Sequence, residues 1–341
     1  MVLKKTTKPN SLEWLLEQKD PGVRYLALRD LVHLAEFDSD LKSARRTAHK
    51  NGPIAAVLNK MHPDGYWMKP GVGYSGKYKS TVWSVILLAQ LGALSREDER
   101  IRKACKYILD HTLAEGGKFC CLAELNPSGT IDCLQGNLCW ALTELGCEDP
   151  RLDEAFEWMA RTVTGEGVAP SKEKQAPLRY YSYKCGPLFA CGINNQLPCA
   201  WGGVKAMLAF SRYPREKRTP LIKRAIKDGV DFFLSVDPSR ADYPQRDPGI
   251  PSRNWWKFGF PVYYVADILQ IAEALVGLGV GSDPRMRNLL DAIRMKSDQQ
   301  DRWLMEHDYR GWVSFGSQGK PNKWVTLRAM RVLSDAKLSQ V

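Results

Sequence analysis

The 341-residue sequence lacks any uninterrupted apolar run of the roughly 18 residues that a membrane-spanning helix needs. Its first residues, MVLKKTTKPNS, are basic, but no apolar core of a secretory signal peptide follows them. The nine cysteines are an odd number and occur without an export signal. We therefore expect a protein without a transmembrane segment, located in the cytoplasm, whose thiols are reduced.

The sequence also lacks a CxxC pair, and its five histidines are scattered along the chain. Regular ligand spacing is the usual sequence sign of a zinc site. Six cysteines nevertheless fall in or beside two long loops: Cys120, Cys121, Cys133, Cys185, Cys191 and Cys199. We expect no cofactor and no metal, and we keep zinc bound by these thiols as the less favoured alternative.

Acidic residues are fewer than basic ones, 38 against 49, which gives a net charge of +11. Such a charge favours acidic partners such as nucleic acid, phosphate or anionic sugar. The basic residues are spread along the chain, and the one dense cluster, PREKRTPLIKR, is typical of a helix surface without a nucleic-acid-binding motif. The expected partner is a small-molecule substrate, and nucleic acid is disfavoured. The oligomeric state stays open.

Three stretches repeat one pattern: LGALSREDERIRKACKYIL, LGCEDPRLDEAFEWM and LGVGSDPRMRNLLDAI. In each, an apolar helix ends at Leu-Gly, where glycine can adopt the left-handed conformation that closes a helix. Asp-Glu-Arg or Asp-Pro-Arg then begins an amphipathic helix. A diverged fourth copy, CAWGGVKAMLAFSRYPREKRTPLIKRAIKDGVDFFLSV, lies between the last two stretches. A repeat of this length is typical of stacked helical hairpins.

Strand signals are nearly absent, so we predict an all-α fold. It is an (α/α)6 toroid with an inner ring of six apolar helices and an outer ring of amphipathic helices, forming one domain over residues 1–341. Residues 1–20, with the helix SLEWLLEQ, pack on the ring and complete it. The predicted inner helices are Val23–Leu34, Thr81–Leu91, Leu134–Leu145, Ala200–Phe210, Tyr263–Leu278 and Trp324–Leu333. The predicted outer helices are Leu41–Met61, Asp98–His111, Pro150–Val163, Thr219–Val236 and Pro284–Lys296. An open solenoid is the alternative, because DPGVRYLALRDLV is similar to a HEAT-type helix.

Four segments resemble the terpenoid cyclase and protein prenyltransferase toroids, which share the prenyltransferase and squalene cyclase repeat: MHPDGYW, AEGGKF, STVWSVILLAQLG and DCLQGNLCWALTELG. The chain is also similar to uncharacterised bacterial members of that superfamily. The resemblance implies a cavity that opens at the N-termini of the inner helices. The Asp-x-Asp-Asp motif of class II cyclases and the Asp-rich magnesium motifs are missing. The Asp-x-Cys zinc ligands of protein prenyltransferases are replaced by adjacent Asp132 and Cys133, which argues against that activity.

The loops that lead from outer to inner helices are long and should gather on one rim of the ring, where function usually lies. Asp132, at the start of an inner helix, forms a predicted capping box with Gln135 and can also present a carboxylate to the cavity. A thiol at a helix N-terminus can have a lowered pKa, which favours acid/base or nucleophilic chemistry. The candidate catalytic residues are Asp132, Cys133, Tyr181, Cys185, Cys191 and Asp64.

Aromatic residues are abundant in the same loops and at the starts of inner helices. Their rings suit an apolar polyene, a carbocation or a stacked sugar ring, and the structural alternative is that they cover the open end of the ring core. The candidate substrate-binding residues are Trp67, Tyr74, Tyr183, Asn194, Asn195, Trp255, Trp256, Phe258, Tyr264, Trp312 and Trp324.

These features favour an enzyme that performs cofactor-independent cyclisation, isomerisation or hydration/dehydration on an apolar small molecule, such as an isoprenoid, in the central cavity. The first alternative is a carbohydrate-active (α/α)6 enzyme, such as a lyase acting on an anionic polysaccharide. It draws on Tyr181, Arg246, Arg253, Asn194 and Asn195. The second is a non-catalytic helical-repeat binding protein. A deep aromatic cavity would favour the enzyme acting on an apolar small molecule, and a long basic groove would favour the carbohydrate-active enzyme. A filled ring centre would favour the non-catalytic binding protein.

Overall fold

A computed structural model describes residues 10–125, 129–167, 184–247 and 251–338 of the chain. Most of these residues are helical, because the repeated apolar segments follow a helical period. The helices are α1 Ser11–Leu15, α2 Pro21–Asp30, α3 Ser39–Lys50, α4 Pro53–Leu58, α5 Thr81–Gln90, α6 Glu99–His111, α7 Asp132–Glu144, α8 Arg151–Thr164, α9 Ala200–Arg212, α10 Pro220–Phe233, α11 Ile268–Gly277, α12 Arg287–Met295 and α13 Lys323–Leu338. Two short antiparallel hairpins pair β1 Leu113–Ala114 with β2 Lys118–Phe119, and β3 Ala190–Cys191 with β4 Leu197–Pro198.

The helices form a closed (α/α)6 toroid. The inner ring runs α2, α5, α7, α9, α11 and α13; each helix from α5 onward contacts the next, and α13 contacts α2. The remaining neighbouring pair is α2 and α5. These helices meet just beyond the end of α5, where a Cβ at Gly92 would lie 2.5 Å from Leu26 Cδ2 of α2. Outer helices α3, α6, α8, α10 and α12 pack on the inner helices that precede them, and α1 packs on α13 and α2. The predicted all-α toroid is confirmed, and the assignment of the whole chain to one domain stays a prediction.

The predicted helices differ from the observed ones by a few residues at their ends, and in three of them the difference has a clear local cause. The predicted Leu41–Met61 helix is divided into α3 and α4 at Gly52, whose φ of +86° does not continue a helix. The inner helix predicted from Tyr263 begins at Ile268, because Asp267 caps it through a hydrogen bond from the Gln270 backbone N–H. The outer helix predicted from Pro284 begins with a single 3-10 turn before α12.

Inner helices α7 and α9 approach each other closely at Gly136. A Cβ at this position would lie 2.3 Å from the backbone carbon of Lys205, so only glycine allows the contact. On the outer side of α7, Gln135 donates hydrogen bonds to the Gly117 and Ala155 carbonyls and thereby fixes the β1–β2 hairpin and α8. The position of α7 in the ring is therefore set by backbone contact on one side and buried hydrogen bonds on the other.

The centre of the ring is occupied by residues 258–267, which we call the central segment. Phe258, Phe260 and Tyr263 of this segment are buried. The Gln90 side chain exchanges hydrogen bonds of 2.7 and 2.8 Å with both backbone groups of Val262. The central segment therefore separates the space inside the ring into two cavities, one at each end.

Among the described residues, none of the helices combines the length and the apolar character that crossing a membrane requires. This finding agrees with the predicted lack of a transmembrane segment. The cytoplasmic location stays a prediction.

Lys205 is a buried charge in the inner ring. It lies on α9 with no exposed surface, and its ammonium donates a hydrogen bond to Gln270 Oε1. Burial lowers the pKa of Lys205 to about 7, although Asp267 opposes the shift. The folded protein thus releases a proton that the unfolded chain keeps up to a much higher pH.

We expect Lys205→Met to stabilise the protein at pH 6 by about 1–4 kcal/mol, the range reported when buried ionic groups are replaced by apolar ones. The wild-type free energy of unfolding should rise between about pH 7 and 10.5, because only the unfolded state then holds the lysine proton. The variant should lack this rise. Urea unfolding at pH 6 and pH 9 measures both effects, with exposed Lys227→Met as the control; a less stable Met variant at pH 6 would contradict the expectation.

Candidate functional site

A cavity of about 620 Å³ lies at the end of the ring where inner helices α7 and α9 begin, and we call it the rim cavity. Its volume is within the range of small-molecule binding sites. It is lined by Tyr74, Lys77, Ile131, Asp132, Cys133, Lys184, Cys191, Ile193, Asn194, Cys199, Ala200, Trp201, Gly202, Ala241, Tyr243, Pro244, Gln245, Arg246, Asp247, Ser252, Trp255 and Tyr264. The long loops before α5, α7, α9 and α11 therefore meet at one rim.

A second cavity, of about 240 Å³, lies at the opposite end, beyond the central segment. Its charged side chains come from inner helices and form ion pairs with one another. They include Arg212–Glu144 at 2.9 Å and Arg328–Glu273 at 2.9 Å. These pairs leave little unmatched charge for a substrate, so the rim cavity is the stronger candidate for a functional site.

Asp132 is the first residue of α7 and not its cap. Ile131 occupies the N-cap position, and the Asp132 carboxylate makes no capping hydrogen bond. Gln135 is turned away toward the β1–β2 hairpin, where it accepts a hydrogen bond of 2.8 Å from the Phe119 backbone N–H. The predicted capping box is wrong, because burial directs Gln135 outward and Asp132 toward the cavity.

The Asp132 carboxyl is a buried acid in the wall of the rim cavity. The residue is 4% exposed, and its Oδ2 has no hydrogen-bond partner among the described residues. Burial and the nearby Cys191 sulfur raise the pKa of Asp132 well above the usual carboxyl range, although the Gly186 backbone N–H opposes the shift. Gly202 makes room for this side chain, since a Cβ there would lie 3.1 Å from Asp132 Cβ. The raised pKa favours the protonated form of the carboxyl, in which it can act as a proton donor.

Cys191 and its neighbours form a group of thiols beside this acid. The hydrogen bond from the Cys199 thiol, with backbone N–H groups and Lys184, lowers the pKa of Cys191 to about 6. Burial raises the pKa of Cys133 to about 12, and burial likewise raises that of Cys185. Cys191 is therefore the thiolate of the group, whereas Cys133 and Cys185 keep their protons.

Aromatic rings form one wall of the rim cavity. The Trp201 ring lies 6.2 Å from the Trp255 ring and 6.0 Å from the Tyr264 ring, measured between centroids. Lys77 Nζ lies 4.6 Å from the centroid of the Tyr264 ring and 5.6 Å from that of Tyr74. Burial raises the pKa of both tyrosines, so their hydroxyl groups stay protonated. The wall offers ring faces and hydroxyl donors next to a cation.

Asn194 has a structural part in the cavity wall. Its side-chain amide donates to the Pro198 and Pro244 carbonyls at 2.9 and 3.0 Å and accepts from the Arg246 backbone N–H at 2.8 Å. These bonds join the turn after β3 to the loop that carries Arg246. Asn194 therefore positions a cationic side chain at the cavity.

Three predicted substrate-binding aromatics belong to the core. Trp67 and Phe258 are fully buried, and Trp67 donates its indole N–H to the Val57 carbonyl at 2.8 Å. The Trp324 ring stacks on Phe260 at 4.6 Å. None of the three lines the rim cavity.

Two further tryptophans predicted to bind substrate hold loops together. The indole N–H of Trp256 donates to the Ser239 carbonyl at 2.9 Å, and that of Trp312 donates to the Lys79 carbonyl at 3.0 Å. Neither lines the rim cavity, because each ring is packed between its own loop and a neighbouring one.

Three further predicted residues that the structure describes, Asp64, Cys185 and Asn195, do not line the rim cavity. Asp64 is exposed and pairs with His62 at 3.3 Å on the outer side of the ring. Asn195 is exposed, with a left-handed φ of +55°, and does not line the cavity. Tyr181 and Tyr183 lie outside the described residues.

The sequence analysis overlooked several residues of the cavity, namely Lys77, Lys184, Trp201 and Tyr243, and considered Cys199 only as a possible zinc ligand. Trp201 had an available signal, since it is the second residue of an inner helix that begins at the functional rim. Lys77 and Lys184 carried no such signal, because lysines are frequent throughout this basic chain.

No known family model matches the chain, and no curated protein does. One similar solved structure is a crystal structure of an unsaturated glucuronyl hydrolase specific for heparin. The two chains are 11% identical, with a TM-score of 0.49 over 94% of this chain and 85% of the other. No residue role is transferred from that enzyme at this similarity, and membership of the terpenoid cyclase superfamily stays a prediction.

The buried carboxyl predicts a measurable effect on stability. A carboxyl whose pKa is raised by folding stabilises the folded state only at low pH, and this contribution is lost as pH rises above the ordinary value of 3.8. Asp132→Asn keeps the shape without the charge, so its melting temperature should exceed that of the wild type by about 2–4 °C at pH 8. The difference should vanish near pH 4. Thermal unfolding across this pH range measures it, and a variant destabilised at pH 8 would contradict the raised pKa of Asp132.

Proposed function

We propose that this chain is an enzyme that transfers protons to and from an anionic, ring-containing small molecule in the rim cavity. Asp132 is the proton donor, and Cys191 is the proton acceptor. The proposed substrate class is a sugar acid, and the proposed reaction is isomerisation or hydration/dehydration without a cofactor. The observation that carries the proposal is the buried Asp132 carboxyl, whose pKa is raised and whose Oδ2 has no hydrogen-bond partner among the described residues, beside the Cys191 sulfur in one cavity.

The opposite pKa shifts of Asp132 and Cys191 support their assignment as acid and base. A pair of titratable groups whose pKa values are driven apart can hold one proton and one negative charge at the same pH. Asp132 then gives its proton to the substrate, and the Cys191 thiolate removes one from the substrate or from the water that adds to it. Because the two groups interact, their titration belongs to the pair.

The charges at the rim cavity support an anionic substrate. Lys77, Lys184 and Arg246 line it, and the raised pKa of Asp132 disfavours a negative charge on the acid beside them. Exposed Asp247 also lines it and is paired with Arg246 at 3.2 Å, and the Cys191 thiolate is a second negative group. A carboxylate on the substrate could pair with the cationic groups of the cavity, Lys77 in particular.

The aromatic wall supports a ring-shaped substrate. The faces of Trp201, Trp255 and Tyr264 suit stacking on the C–H faces of a sugar ring, and the protonated tyrosine hydroxyls suit its oxygen atoms. A cavity of about 620 Å³ suits a small molecule better than a long polymer.

The apolar isoprenoid substrate is less favoured than a sugar acid. The central segment fills the middle of the ring, where a deep apolar cavity would be needed. The filled ring centre is the feature expected of a purely structural or binding role, but that role is also less favoured, because a buried acid with a raised pKa next to a thiolate is a typical feature of catalytic sites.

Ligand binding tests the substrate class first. Glucuronate should raise the melting temperature of the wild type in a concentration-dependent manner, whereas glucose, which lacks the carboxylate, should not. Replacing Lys77 or Arg246 by Met should weaken glucuronate binding by about 10- to 150-fold, the effect of losing one charge-assisted hydrogen bond. Stabilisation by farnesol and not by any sugar acid would support the isoprenoid alternative instead.

Proton transfer tests the chemistry. With a sugar acid that binds, NMR in deuterated water should detect solvent deuterium incorporated into the substrate by the wild type. Asp132→Asn should lower this rate by about 10²–10⁴-fold, the usual contribution of a general acid. Asp64→Asn is the matched control, because Asp64 is exposed and lies outside the rim cavity. Equal loss in both variants would refute the assignment.

The pH dependence of kcat/KM should be bell-shaped. The acid limb should lie near pH 6, because Cys191 must be ionised, and the alkaline limb reflects ionisation of Asp132 well above the usual carboxyl range. A steady-state profile measures both limbs. A rate that falls steadily from pH 5 upward would contradict a thiolate base.

A further inference from the structure

Cys191 and Cys199 lie on one face of the β3–β4 hairpin. Cys191 is paired with Leu197, and Cys199 follows two residues later, so both side chains point to the same side. The two side chains interact, and this interaction lowers the pKa of Cys191 and raises that of Cys199. Both residues line the rim cavity, so a small solute in that cavity can reach them.

The surroundings make Cys191 the reactive member of the pair. Its sulfur is stabilised as a thiolate by the Cys199 thiol and by the backbone N–H groups of Ile193 and Asn194. Cys199 keeps its proton, because its hydrogen bond to Cys191 and its burial raise its pKa. A nucleophilic thiolate next to a second thiol is the arrangement that oxidants convert to a disulfide.

We propose that Cys191 and Cys199 form a peroxide-responsive dithiol, a modification site in the wall of the rim cavity. The Cys191 thiolate attacks one oxygen of hydrogen peroxide; the S–O bond forms, the O–O bond breaks, and hydroxide leaves and takes a proton to become water. Cys199 then attacks the Cys191 sulfenic acid; the S–S bond forms, the S–O bond breaks, and a second water leaves. Two thiols lose two electrons in total, and one peroxide is reduced to two waters.

Oxidation would also stop the proton transfer proposed above, because the disulfide removes the Cys191 base. That consequence rests on the proposed function, whereas formation of the disulfide does not. Formation of the disulfide is therefore measured by mass spectrometry, which does not depend on enzyme activity. The proposed dithiol and the proposed proton transfer can then fail independently.

The experiment treats the full chain with a molar excess of hydrogen peroxide, then alkylates it under denaturing, non-reducing conditions. Trypsin should release residues 185–205, between Lys184 and Lys205, as one peptide with three cysteines. We expect this peptide to carry one alkyl group, on Cys185, and to have lost two hydrogens through a Cys191–Cys199 disulfide. Dithiothreitol before alkylation should restore three alkylated thiols.

Two single-residue variants identify the attacking sulfur. In Cys199→Ser, the sulfenic acid on Cys191 has no resolving thiol and should be trapped by dimedone. In Cys185→Ser, which keeps the proposed pair, the crosslink should form as in the wild type. A crosslink to Cys185, or dimedone on Cys185 in place of Cys191, would overturn the proposal.

The chain holds a second thiol pair that serves as an internal comparison. Cys105 on α6 and Cys147 after α7 are also hydrogen-bonded, but neither lines the rim cavity. If access through the cavity governs reactivity, the Cys191–Cys199 crosslink should form at the lower peroxide exposure. A crosslink between Cys105 and Cys147 with Cys191 and Cys199 still fully alkylated would refute the proposal.

Discussion

The close approach of α7 and α9 determines how the functional rim is built. Gly136 lets the two backbones meet, and Gly202, one turn from the start of α9, leaves space for the Asp132 side chain. As a result the N-termini of these helices lie side by side, and Asp132 on one helix faces the cavity that Trp201 lines on the other. The same contact buries the carboxyl, and this burial is the principal cause of its raised pKa.

The central segment separates two ends of the ring that differ in their buried polar groups. Residues toward one end form charged pairs that satisfy one another, as Arg212 and Glu144 do. Residues toward the other end leave a carboxyl oxygen of Asp132 without a partner among the described residues. An unpartnered buried polar atom is costly, and the opposite cavity also has such atoms, at Trp140 Nε1 and Arg331 Nε. The chain tolerates this cost at the rim, which is where we propose that proton transfer occurs.

Much of the architecture could be predicted from the sequence, because Leu-Gly endings and Asp-Pro-Arg starts report local helix boundaries. The meeting of the loops with Asp132, Cys191 and Trp255 also followed from the order of the helices around a ring. The destination of individual side chains could not be predicted. Tryptophans expected in the cavity, such as Trp67, are drawn into the core because their indole N–H groups find backbone carbonyls there. The spacing of Asp132 and Gln135 is that of a capping box. The buried hydrogen bond from Gln135 to the Gly117 carbonyl overrides this local preference.

The bonds between Gln90 and the central segment join residues 172 positions apart in the sequence. Closure of the ring by α13 against α2 joins elements that are farther apart still. During synthesis, the first helical hairpins therefore leave the ribosome long before the segment that fills their centre. Until the central segment is synthesised, Gln90 and the apolar surfaces around it remain exposed or are covered by a chaperone. Such long-range closure favours slow folding and leaves apolar surface exposed until the last helices are made.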